Sequence, residues 1–145
     1  MNTALQKINI DGFKALVFRM QSTLFAADLE QIDELLVGDR WNHHEEDVIL
    51  LDRLIPLGTS PLVYQEPHVI TINYQGSKVS IQIDKPEDIT YITIDAIRSF
   101  PIIVDKVRQH LWLWGVGLLK EEPVLLIDFH KLAANCLSEQ EAAWK

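Results

Sequence analysis

The chain has 145 residues, of which 48% are hydrophobic and 23% charged, and its formal net charge is −8. That length and balance predict one globular domain over residues 1–145 and exclude a largely disordered chain. An acidic excess with no basic cluster excludes nucleic acid as a partner, because phosphates demand a positive surface, and disfavours an anionic membrane surface for the same reason.

The opening residues MNTALQKINIDGFK lack the apolar core and small-residue cleavage site of a signal peptide. No apolar run approaches the ~20 residues that span a bilayer, so no direct membrane insertion is expected. The single cysteine, Cys136, has no partner for an internal disulfide. These features predict a soluble, cytoplasmic protein.

In chain order, Leu16, Phe18 and Met20 share one face and Val17 and Arg19 the other, a period of two that predicts a strand. A polar turn, Gln21-Ser22-Thr23, leads to LFAADL as the returning strand. Asp28 to Leu36 fits either a turn of helix or a direct passage into a strand. HVITINY and KVSIQID form the clearest hairpin, with Gln75-Gly76-Ser77 between them. DITYITI, WGVGLL and PVLLI are further strands, the last two joined by Lys120-Glu121-Glu122. After Ile127 the period changes. Phe129, Leu132, Ala133, Cys136 and Leu137 make one apolar stripe at helical spacing. Many short strands with one terminal helix predict a mostly β fold, best met by small barrels that close their own edges.

Three constellations invite chemistry. In WNHHEED, His43 and His44 lie among three carboxylates, which suits either a divalent metal or a solvated acidic loop. Adjacent histidines point in different directions on any regular element, which favours the loop. Asp128 and His130 form a potential acid–histidine pair. Asp128 also stands where a helix N-cap belongs, and His130 lies roughly 100° round the helix from the apolar stripe, toward solvent. Trp112 and Trp114 fall on one face of any strand, and they are either both core or together an exposed binding surface. Cys136, on the stripe, is expected to be a small core hydrophobe. No Gly-rich phosphate loop, G-x-S-x-G, H-E-x-x-H or paired-cysteine motif is present, which predicts no enzyme, no cofactor and no metal.

Three stretches, LVFRMQSTLFAADLEQIDELL, VITINYQGSKVSIQIDKPEDITYI and GVGLLKEEPVLLIDFHKLA, taken in that order, resemble the CheW-like domain, the adaptor module of bacterial chemosensory systems. The first is similar to its opening, with Ile32-Asp33-Glu34-Leu35 as the apolar-x-Glu-apolar element. The second is similar to its central hairpin, leading to Asp84. The third is similar to its ending, with Gly115, Gly117 and Asp128 at matching positions. The likeness spans about residues 15–137. It departs from the family between the first strands and DVILLDRLIPLG. There Asp52 takes the family's Asp position, the Asn-Leu-Arg-Gly motif has no counterpart, and WNHHEED stands where some twenty residues would be expected.

The resemblance implies two intertwined SH3-like β-barrels with a C-terminal α-helix and no catalysis. It implies a chemotaxis adaptor that binds the regulatory domain of a CheA-type histidine kinase and the cytoplasmic tip of chemoreceptors. The expected contact residues are Ile32, Glu34, Asp52 and Arg53, with Trp112 and Trp114 where exposed. Gly115, Gly117, Glu34, Asp84 and Asp128 match the family by position and carry over as scaffold positions. Because the shortening falls in the segment that helps form both family contacts, a regulator or decoy binding only one partner is the alternative. A metal-dependent enzyme using His43 and His44 is the alternative from another class.

Overall fold

The computed structural model describes residues 11–37, 48–54, 63–99 and 112–144, with side chains of the last helix described to Ser138. The strands are β1 (Gly12–Met20), β2 (Thr23–Asp28), β3 (Glu34–Val37), β4 (Val48–Leu50), β5 (Pro67–Tyr74), β6 (Ser77–Asp84), β7 (Pro86–Thr93), β8 (Leu113–Leu119) and β9 (Glu122–Ile127). A helical turn, α1 (Leu51–Leu54), follows β4, and the helix α2 (Phe129–Trp144) follows β9. Short 3-10 turns occupy Leu29–Gln31 and Ile94–Ala96.

Two sheets result. One has the order β7-β1-β2-β9-β8 and the other β3-β5-β6-β4. Early and late strands therefore build the first sheet, and the middle of the chain builds the second. The pairings β2–β9 and β4–β6 are parallel and the others antiparallel. The five-stranded sheet closes on itself. Past β7 the chain reaches Arg98, which pairs with Val116 of β8 through two N–H···O bonds of 2.8 Å. Closure removes the edge that an open sheet would leave to solvent.

The alternating pattern of β1 now has a cause, because both of its faces are buried. Ala15 and Val17 join Leu24, Ala26, Ile92, Val124 and Leu126 inside the closed sheet. Leu16, Phe18 and Met20 face the main core, with Ile70, Ile72, Ile81 and Ile83 of the second sheet and Phe129, Leu132, Ala133 and Cys136 of α2. Phe18 and its cross-strand partner Phe25 stack with ring centroids 5.6 Å apart. The period of two decides which core each residue serves.

Most expected elements are present, with adjusted ends. The β5–β6 loop is two residues, Gln75 and Gly76, both with positive φ, and Ser77 already pairs with Tyr74. The span Asp28–Leu36 takes both options, a 3-10 turn and then β3. In VILLDR the residues Val48–Leu50 are extended. The chain then coils, so that Leu51 is fully buried in the main core and Leu54 packs beside it. The described chain is mostly β with a terminal helix, as the strand pattern predicts.

Candidate interaction surfaces

The expected contact residues fall in three places. Ile32 and Glu34 lie where the first 3-10 turn enters β3. Ile32 is half-buried against the main core, while Glu34 is exposed and pairs with Lys78 at 3.6 Å. Leu35 and Val37 of β3 are also exposed. Asp52 and Arg53 lie on α1, beside β4. Since β3 and β4 flank β5 and β6, these two groups sit at opposite edges of one sheet, roughly 14 Å apart at ~4.8 Å per strand. Trp114 belongs to β8, in the other sheet.

Asp52 is engaged internally. The Tyr64 hydroxyl donates to its Oδ1 at 2.6 Å. Burial, and then this carboxylate, push the tyrosine above its ordinary range. The bond pins α1 to the segment entering β5 and leaves Arg53 as the exposed charge of the pair.

The two tryptophans do not share a face, which corrects the expectation from strand alternation. Trp112 is 3% exposed and belongs to the main core, whereas Trp114 is 38% exposed. The cause is a register shift between Leu113 and Gly115 where β8 pairs with β9, so Trp114 is the extra residue of a bulge. Its ring lies 6.1 Å from that of Phe13.

Asp128 caps α2. Its Oδ1 accepts the backbone N–H of Lys131 at 3.1 Å, and His130 is exposed, with its ring 6.2 Å from that of Tyr74. A partner that no local pattern signals completes the cap. Gln31 donates from Nε2 to Asp128 Oδ1 at 3.0 Å, and its Oε1 accepts the Phe129 N–H at 2.8 Å. This clasp ties the 3-10 turn before Ile32 to the start of α2. Arg19 makes a second clasp. Nε meets Glu87 of β7 at 2.9 Å, while the two terminal nitrogens grip Glu122 of β9 at 2.6 and 3.0 Å. Glu122 and Glu87 hold the guanidinium above its ordinary range, and Arg19 holds the Glu122 carboxyl below the usual one.

His43 and His44 lie outside the described residues, so the metal alternative gains no geometry. Among the described residues no three His, Cys, Asp or Glu side chains gather as a metal site, and no helix is long and apolar enough to cross a membrane.

No family model matches the sequence, and no curated protein does. Among solved structures the chain matches the scaffolding protein TtCheW from Thermoanaerobacter tengcongensis, with a TM-score of 0.62 and 16% identity. The match covers 80% of this chain and 88% of that one. The fold is CheW-like. Positions carried over from the family motifs acquire physical reasons within that CheW-like frame. A Cβ on Gly115 would stand 3.0 Å from the Arg98 carbonyl oxygen and 3.1 Å from Ile97 Cγ2, so glycine lets the closing bridge form. Asp84 accepts three backbone N–H groups, from Gln65, Glu66 and Lys85, and fixes the entry to β5. Gln31, Tyr64 and Arg19 carry no sequence signal, because the partners of Gln31 and the far partners of Arg19 lie 68 to 103 residues away and that of Tyr64 lies 12 away.

Proposed function

We propose that this chain is a non-catalytic adaptor of bacterial chemosensory signalling that couples chemoreceptors to a CheA-type histidine kinase in the cytoplasm. The observation that carries this reading is the likeness to TtCheW, a scaffolding protein, over most of both chains. Surface chemistry supports it. Leu35 and Val37 present apolar side chains from the outer strand β3, with Glu34 beside them, and such a strand suits pairing with a partner barrel. Ile32, Glu34, Arg53 and Trp114 are the contact residues in this proposal. Asp52 acts through α1, and Trp112 supports the surface from the core.

Calorimetric titration of the purified protein with a CheA regulatory domain, and separately with a receptor cytoplasmic fragment, tests the reading. Binding to both is expected, and Leu35→Asp weakens at least one by about tenfold or more while leaving the core intact. Binding to neither removes the proposal. Binding to one alone selects the single-partner regulator, which the missing Asn-Leu-Arg-Gly segment favours.

A further inference from the structure

A cleft of about 250 Å³ opens where the start of β1, the end of β7, the β8 bulge and the N-terminus of α2 meet. One side is apolar. The Phe13 and Trp114 rings meet at 46°, Ile94 stands exposed at the rim, and buried Ile127 forms the floor. The other side is acidic. Asp28, Asp128 and the Gln31 amide line it, and among the described residues no Lys, Arg or His does. The hydrogen bonds to the two carboxylates use their Oδ1 atoms. Asp28 accepts from the Glu30 N–H at 3.0 Å, and Asp128 from Lys131 and Gln31.

The sign of the ligand follows from magnitudes. The α2 N-terminus contributes about half a positive charge, and the two carboxylates contribute two negative ones. The cleft is therefore negative by roughly one and a half charges, and it favours a cation despite the helix end. Its volume lies below the ~300 Å³ at which small-molecule pockets begin, so it fits a side chain or two rather than a cofactor. The chain's own charge of −8 argues against a second copy as occupant.

We propose that this cleft captures a partner-protein segment in which an apolar side chain stands next to Arg or Lys. The apolar group packs against Phe13, Trp114 and Ile94. The basic group pairs with Asp28 and Asp128, and an Arg also stacks on the Trp114 ring. The inference deepens the adaptor reading and rests on it only in taking the occupant to be a protein.

The test is NMR titration of the uniformly 15N-labelled full chain with acetylated, amidated Gly-Leu-Arg-Gly, Gly-Leu-Glu-Gly and Gly-Gly-Arg-Gly. Saturating shifts are expected at the Trp114 indole N–H and at the Phe13 and Glu30 amides with the first peptide. About fivefold weaker binding is expected with the second and third. Asp28→Asn and Asp128→Asn keep a capping side chain and remove one charge, and each weakens binding about threefold. Ile94→Ser, at the exposed rim, weakens it without touching a cap. Equal response to the Leu-Glu peptide, indifference to both Asn variants, or no shift up to about 10 mM peptide overturns the proposal. Retained shifts in a protein that binds neither kinase nor receptor fragment would remove the adaptor reading and leave this one standing.

Discussion

Single side chains in this protein hold together elements that the sequence keeps far apart. Gln31 satisfies the Phe129 N–H and braces Asp128, so Gln31→Ala strips a donor and an acceptor at once. A loss of about 1–2 kcal/mol in urea unfolding is expected. Gln31→Glu should cost more, because it sets a second carboxylate against Asp128. Arg19 supplies a pH dependence. The folded-state Glu122 carboxyl is held below its unfolded value of 4.5 by the guanidinium, so the folded protein resists protonation there. Stability from this pair is present above that value and is lost as pH falls through the lower folded value. Arg19→Met should therefore flatten the acid limb of the stability curve below about pH 4.5 without changing the slope near pH 7, as followed by thermal melts across pH.

Turns and glycines act at the level of elements. The β8–β9 connection places Lys120 and Glu121 in the left-handed region, with φ of 48° and 66°, a conformation that L side chains enter at a cost. Glu121→Gly should raise stability by about 1 kcal/mol, visible as a higher melting temperature. Gly115→Val should do the reverse, costing about 2 kcal/mol by wedging β8 from Arg98. Amide exchange at Arg98 and Val116 would speed up first. Elements set by local pattern are legible in the sequence alone. The β5–β6 hairpin announces itself by alternation and a glycine turn, and α2 by a capping Asp ahead of an apolar stripe. The features that stay hidden depend on pairing. Only the register of β8 against β9 makes Trp114 a bulge and leaves Trp112 inside. Only the bridge to Arg98 explains why a side chain at Gly115 would be crowded. The proposed contact residues are the least legible, because Ile32, Arg53 and Trp114 are separated in space by sheets whose strand order no local pattern encodes.

At the scale of the whole molecule, the two cores share a wall. β1 buries Ala15 and Val17 on one side and Leu16 and Phe18 on the other, and Phe129 of α2 packs on the second side without exposure. Phe129→Ala should cost about 3–5 kcal/mol, and near-ultraviolet dichroism should report loss of packing on both sheets together rather than on one. Any partner contact would therefore fall on a body whose two cores meet across β1. The parallel pairing of β2 with β9 has a last consequence. Leu24 pairs with Val124, so one flank of β2 has no strand beside it until the chain has grown a further 100 residues. A nascent chain leaving the ribosome thus carries a bare apolar flank on β2 while those residues are added, and a stop before Val124 would release it with that flank open to other unfinished chains.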